Sequence, residues 1–229
     1  MTSETIRHFH EELADIRERL VTMSGAAEAA LGLAVEALLG HDEAKAERVF
    51  AGDQEIDRRE VDIEERCIAM LALHQPMARD LRTITAAMRI ANDLERVGDH
   101  AVNIAQSAVR VTSERPITPR PEIAEMARLT RSMLADAMDA FSKGDATLAR
   151  EICRRDDQVD ALNRSVFRIL LTHMMENPQH IGPGMELLLV SRNLERVADL
   201  ATNVAEGVVF LVEGKSIKHH AEDGGVAVG

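Results

Sequence analysis

A thirteen-residue pattern typical of a helix occurs twice in this chain, one hundred residues apart. Residues 93–105, DLERVGDHAVNIA, align with residues 193–205, NLERVADLATNVA, and eight of the thirteen positions are identical. The stretch before each copy also aligns, at an offset of 103 residues, so that residues 49–63 correspond to residues 152–166. Self-similarity of this kind indicates an internal duplication, and the chain is expected to fold as two similar halves.

Proline and glycine positions divide the sequence into six long helical segments. Proline begins or ends helices, and all six prolines lie where the helical pattern breaks. A glycine with an N-capping aspartate marks two more breaks, near Asp42 and Asp145. Helices are therefore predicted over residues 3–40, 43–74, 77–112, 121–142, 146–176 and 184–213.

Three predicted helices precede the linker SERPITPRPE and three follow it. This order predicts an all-α fold of two tandem antiparallel three-helix bundles related by the duplication. The first bundle is expected over residues 1–115 and the second over residues 116–214, followed by a flexible tail over residues 215–229.

Composition supports a helical protein and excludes some partners. Hydrophobic residues make up 45% of the chain but aromatic residues only 2%, with no Trp and no Tyr, which favours helices packed through aliphatic side chains. A formal net charge of −12 argues against binding to nucleic acid or to an anionic membrane surface. The strongest apolar run, residues 208–212, is far too short to span a membrane, and no signal sequence precedes the first helix. We therefore expect a cytoplasmic protein without direct membrane insertion.

Pairs of acidic residues spaced four apart recur in both halves. Side chains four residues apart share one helix face, so each pair presents two carboxylates together. If the two helices of each half are neighbours, four carboxylates converge, and oxygen-rich clusters suit hard or intermediate cations. The candidate metal ligands are Asp53, Asp57, Glu95 and Asp99 in the first half, and Asp156, Asp160, Glu195 and Asp199 in the second.

The same residues have a simpler interpretation. Arg96 and Arg196 lie beside these acids, and charges at such spacings are usually solvated ion pairs that contribute only tenths of a kcal/mol. Four pairs in duplicate registers favour the cation interpretation over this one. The sequence has no phosphate-binding loop, nucleophile elbow or catalytic triad pattern, and a non-enzymatic protein is predicted. A metal store or metalloenzyme that uses the acidic pairs stays open as an alternative.

The repeated LERVGDHAVNIA and LERVADLATNVA, together with HQPMARDLRTI at 74–84 and MMENP at 174–178, resemble the PhoU family of phosphate-signalling proteins. The resemblance spans nearly the whole chain except its tail. It implies two three-helix bundles, and metal clusters held by the eight carboxylates named above. The metal could be Fe, Mn, Mg, Zn or Ca.

The resemblance also implies a function. PhoU-like proteins are negative regulators of the phosphate-starvation response, and they couple the ATPase subunit of the phosphate ABC transporter to a sensor histidine kinase. They are cytoplasmic and often dimeric, so a homodimer is expected. The second half departs from the family pattern, with Ala198 and Leu200 in place of the Gly and His that the first half keeps, and with Asn163 in place of Glu60. Because such polar neighbours can orient metal ligands, the first site is expected to bind metal more strongly.

Overall fold

The computed structural model describes residues 3–113, 121–215 and 217. Within these ranges the chain forms six α-helices and one 3₁₀ turn over Pro178–His180, and no strand occurs. The all-α prediction is confirmed. The helices are α1 (Ser3–Gly40), α2 (Glu43–His74), α3 (Ala78–Ser113), α4 (Pro121–Lys143), α5 (Ala146–Glu176) and α6 (Ile181–Glu213).

The breaks between helices arise from the residues that predicted them. Asp42 caps α2 by accepting a hydrogen bond from the Lys45 amide at 3.2 Å. Asp145 caps α5 with bonds of 2.9 and 3.0 Å from the amides of Thr147 and Leu148. Gly144 precedes it with φ of +66°, a left-handed conformation that glycine adopts without steric cost.

Helix α6 begins at Ile181, three residues before the predicted start at residue 184. The prediction treated Pro183 as a helix breaker. Pro183 lies in the first turn, where a backbone N–H has no partner inside the helix, so its missing donor costs nothing there. The other five helices end within a residue of the predicted bounds.

The six helices pack as two bundles joined side by side. Helices α1, α2 and α3 contact one another, as do α4, α5 and α6, while α3 contacts α6 and α1 contacts α4. Contacts between α3 and α6 pair His100 with Asn193 and Arg110 with Glu186, so these two helices run antiparallel. Buried aliphatic side chains from both halves form one continuous core.

Helix α1 is more apolar than the sequence expectation allowed. No uninterrupted apolar run reaches membrane-spanning length, yet the segment Arg7–Gly40 is long and apolar enough to cross a membrane by length and composition alone. Half of its apolar window is buried inside the protein. Leu20, Met23 and Leu31 are fully buried in the bundle core, as expected for the core helix of a helical bundle.

Two predicted features fall largely outside the described ranges. The boundary between the halves at residues 115 and 116 lies in an undescribed segment, and so does the tail predicted from residue 215, except for Lys215 and Ile217. Both stay predictions.

Candidate functional site

The first acidic patch lies where α2 packs against α3. We define it as Asp53, Asp57, Glu95 and Asp99. Burial raises the pKa of Asp53, and the neighbouring charges of Asp57 and Asp99 raise it further. The pKa of Glu95 is also raised, first by burial and then by Asp99 and Asp57. Because this repulsion acts across the two helices, the four carboxylates predicted from sequence share one surface.

No cation of the described residues pairs with the first patch. Arg96, which the simpler interpretation paired with Asp99, lies instead 3.9 Å from Asp93. Across the described ranges, none of the four patch carboxylates forms an ion pair or a side-chain hydrogen bond. Clustered carboxylates without a counter-ion are costly, and they are a chemically suitable surface for a bound cation.

The second acidic patch occupies the equivalent contact between α5 and α6. It comprises Asp156, Asp160, Glu195 and Asp199. The pKa of Asp156 is raised to about 6, chiefly by burial and then by Asp199 and Asp160. Burial likewise raises the pKa values of Glu195 and Asp199.

Two arginines lie near the second patch, at distances typical of weak ion pairs. The Arg164 guanidinium lies 3.5 Å from a carboxylate oxygen of Asp160, and that of Arg192 lies 3.7 Å from Glu195. Both separations exceed normal hydrogen-bond lengths. The two patches therefore differ, because in the described part of the chain arginines form ion pairs with the second patch and not with the first. The pairing of these two arginines with Asp160 and Glu195 was not predicted, although the i,i+4 and i,i+3 spacings are visible in the sequence.

The donor chemistry of both patches fits a metal, but the side chains are not gathered into a coordination sphere. Carboxylate oxygens are the ligands that Mg²⁺, Ca²⁺ and Mn²⁺ prefer. Among the described residues, no three Asp, Glu, His or Cys side chains are placed so that they could hold one ion. Metal binding would require side-chain rotation within each patch, and it stays a prediction.

Comparison with known proteins identifies the repeat. A family model described as the PhoU domain matches residues 20–108 and again residues 123–208. The chain belongs to the PhoU family. A relative from Aquifex aeolicus, named a phosphate-specific transport system accessory protein PhoU homolog, is 41% identical over 91% of this chain and 95% of its own length. A relative of the same name from Caulobacter vibrioides is 37% identical over 95% of each chain.

Solved structures of PhoU proteins share the fold. The crystal structure of PhoU from Pseudomonas aeruginosa matches with a TM-score of 0.87 at 36% identity, covering 90% of this chain and all of that one. The phosphate transport system regulatory protein PhoU from Streptococcus pneumoniae matches with a TM-score of 0.85 at 29% identity, covering 91% and 98% of the two chains. The architecture of two three-helix bundles is thereby confirmed.

The glycine-to-alanine difference between the two PhoU domains is balanced by a second difference. A Cβ at Gly98 would lie 3.1 Å from Cδ1 of Ile56, so glycine lets α3 approach α2 closely. In the second domain the equivalent residues are Ala198 and Val159, both fully buried. The added methyl on α6 is thus matched by a smaller side chain on α5. The absence of the glycine therefore does not by itself indicate that the second patch binds metal less well.

The other departures also act in ways that the sequence analysis did not predict. His100 was taken as a polar neighbour of the first patch, but its Nδ1 lies 2.9 Å from Oδ1 of Asn193 in the other PhoU domain, and burial lowers its pKa. Asn163, which replaces Glu60, accepts a 2.6 Å hydrogen bond from the Ser191 hydroxyl. His100 therefore joins the two domains and forms no hydrogen bond with a described patch carboxylate. The proposed reason for a stronger first site was wrong for this residue.

Proposed function

We propose that this protein is an accessory regulator of phosphate uptake that represses the phosphate-starvation response when phosphate is plentiful. In this proposal it is a cytoplasmic adaptor between the ATPase subunit of a phosphate ABC transporter and a sensor histidine kinase. The observation that supports it is the PhoU match, which covers both domains. Relatives similar over more than nine-tenths of the chain are named as accessory proteins of phosphate-specific transport.

The mechanism is differential binding. An adaptor without chemistry of its own changes a partner's state only by binding one state more tightly than another. A transporter engaged with phosphate would favour the complex in which the kinase is held repressing. The protein is proposed to act as a homodimer, which would present each docking surface twice.

Deletion of the gene tests this role directly. A reporter driven by a phosphate-regulated promoter should be active at high phosphate in the deletion strain and silent again after complementation with the intact gene. Pull-down of the purified ATPase subunit and of the kinase cytoplasmic region by the purified chain tests the two contacts separately. An unchanged reporter at high phosphate in the deletion strain would overturn the proposal.

We further propose that the two acidic patches bind metal ions. Metal binding is the alternative to the adaptor function, and the clustering of carboxylates supports it. Burial and neighbouring carboxylates raise the pKa values of Asp53 and Glu95 in the first cluster and of Asp156 in the second, and a divalent or iron-type cation would relieve that repulsion. Elemental analysis of the wild type beside Asp99→Asn/Asp199→Asn tests it, with the exposed Glu47→Gln as a matched control. Metal that is lost in the double variant and kept in the control supports the sites. Equal metal content in the wild type, the double variant and the control would indicate that the patches are only a solvated acidic face.

The same variants distinguish a metalloenzyme or metal-store function from the adaptor function. Turnover or bulk metal loading that disappears with Asp99→Asn/Asp199→Asn, together with a silent reporter at high phosphate in the strain carrying that variant, would favour the metal function. Loss of repression in that strain would instead link the metal to signalling.

A further inference from the structure

A groove on the second domain is lined by three arginines, although the protein as a whole is acidic. It lies between α5 and α6, encloses a volume of about 550 Å³ and contains no acidic residue in its lining. Ligand pockets usually have volumes of roughly 300–1,000 Å³, so the groove is large enough for one small molecule. We call it the arginine groove, and its lining residues are Asn163, Arg164, Phe167, Arg168, Leu188 and Arg192.

Two of the three guanidinium groups in the arginine groove form long ion pairs with carboxylates of the second acidic patch, which a phosphoryl group would have to replace. The carboxylates closest to Arg164 and Arg192 are 3.5 and 3.7 Å away, too far for good hydrogen bonds. Arg168 forms no ion pair with any residue in the described ranges, and it is exposed. Guanidinium groups bind phosphoryl oxygens through paired hydrogen bonds, so three of them around one cavity suit an anionic phosphoryl group.

The arginine groove also offers an aromatic surface. All five phenylalanines of the chain lie in the described ranges, and Phe167 is the one that is exposed, with 53% of its surface accessible. Leaving a phenyl ring in water costs free energy that a flat ligand ring would recover by stacking. Any nucleic-acid base can stack on such a ring, because every base has a π-face.

A polar group stands beside the aromatic ring. The side-chain oxygen of Asn163 accepts the Ser191 hydroxyl bond, and its NH₂ group donates to no described residue. That group is free to donate to the edge of a heterocyclic base.

The first domain shows that the fold does not require this arrangement. Alignment of the repeats places Val61, Glu64 and Glu65 where the arginine groove has Arg164, Phe167 and Arg168. These three positions thus carry two glutamates in the first domain and two arginines in the second. Bundle packing does not explain Arg164 and Arg168, because the first bundle forms without arginine at those positions.

We propose that the arginine groove binds a nucleoside phosphate. Its phosphoryl group is held by Arg164, Arg168 and Arg192, and its base stacks on Phe167 within reach of the Asn163 amide. This inference goes beyond the regulatory role proposed above, and it holds or fails independently of any contact with the transporter or the kinase.

Calorimetric titration of the purified full chain tests the inference, with ADP, ribose 5-phosphate and inorganic phosphate as separate ligands. ADP should bind saturably and more tightly than the other two, because it has both a base and a second phosphoryl group, and the Phe167→Ala variant below separates these two contributions. Arg164→Gln/Arg168→Gln should weaken ADP binding by about tenfold or more. Phe167→Ala should weaken ADP binding while leaving any binding of inorganic phosphate unchanged. The exposed Arg128→Gln on α4 is the control and should bind ADP like the wild type.

Three results would overturn the inference. The first is the absence of saturable ADP binding to the wild type. The second is equal affinity for ADP and inorganic phosphate, which would show a phosphate site without base recognition. The third is an equal loss in Arg128→Gln, which would show only general electrostatic attraction. Circular dichroism of each variant checks that it is folded. Because the substituted side chains are exposed, we expect all of the variants to fold.

Discussion

At the scale of single residues, the acidic patches are places where the fold raises the free energy of ionised side chains. Asp156 is half-buried beside three other carboxylates of its patch, and its pKa rises from 3.8 to about 6. The folded chain therefore keeps this proton at pH values where the unfolded chain has released it. The free energy of unfolding must then fall as the pH rises from about 4 to about 6.

We expect Asp156→Asn to stabilise the metal-free protein at neutral pH. The neutral amide removes the cost of the buried charge, and the free energy of unfolding should increase by about 2 kcal/mol, less than the full pKa shift implies because the side chain keeps some contact with water. The gain should disappear near pH 4, where the wild-type carboxyl group is protonated. Urea unfolding at several pH values in the presence of a chelator measures it. The control Glu47→Gln should show no such pH dependence.

Asp145 gives a second prediction at this scale. Its carboxylate satisfies two amides at the start of α5. Asp145→Ala should lower the free energy of unfolding by about 1 kcal/mol, the usual cost of losing an N-cap. Thermal unfolding of this variant beside Asp157→Ala, an exposed change inside the same helix, checks the assignment. Equal effects of the two substitutions would contradict it.

At the scale of helices, the two domains use different pairs of side chains for one close contact. Gly98 and Ile56 meet between α2 and α3, whereas Ala198 and Val159 occupy those positions between α5 and α6. Each pair fits because a larger residue on one helix faces a smaller one on the other.

A double-mutant cycle tests this complementarity. Gly98→Ala places a methyl against Ile56, and the resulting overlap offsets the gain of about 1 kcal/mol that alanine brings to a helix. Ile56→Val alone should cost about 1 kcal/mol. Combined, the two changes should be more stable than the sum of the single effects by about 1 kcal/mol, since valine has no Cδ1 to clash. Additive effects in chemical unfolding would show that the two positions are independent.

The helices and the patches could be predicted from sequence, because both depend on spacing along one helix. Caps such as Asp42 and Asp145 act on their own backbone, and a carboxylate at i+4 faces the same side whatever the tertiary fold. The bond from His100 to Asn193 could not be predicted, because spacing within α3 does not show which residues of α6 lie opposite. The arginine groove was missed for the same reason, since Arg192 comes from a different helix than Arg164 and Arg168.

At the scale of the whole molecule, two similar domains carry patches of different electrostatic character. The first patch has no cationic neighbour in an ion pair among the described residues, whereas Arg164 and Arg192 lie close to carboxylates of the second. Those guanidinium groups compete with a metal for the same oxygens. The first patch should therefore bind a cation more tightly, for a reason that differs from the one the sequence suggested.

Metal added to chelator-treated protein should raise the midpoint of thermal unfolding, because a ligand that binds only the folded state stabilises it by mass action. This metal-induced increase in the unfolding midpoint should be reduced more in Asp53→Asn/Asp99→Asn than in Asp156→Asn/Asp199→Asn. Comparing increments removes the effect of each substitution on the metal-free protein. A greater loss of the increment in the second variant would show that the second patch dominates.

The antiparallel contact of α3 with α6 determines where the turns that precede these two helices lie. The turn before α3 and the turn before α6 are at opposite ends of the molecule, roughly 50 Å apart by helix length. Both ends carry exposed apolar side chains, Leu73 and Met77 at one and Met175 and Ile181 at the other. A monomer therefore has two distant, similar tips, and a partner held at one tip leaves the other uncovered. Two partners bound at opposite tips of one molecule would be held within roughly 50 Å of each other, which raises the effective concentration of each for the other.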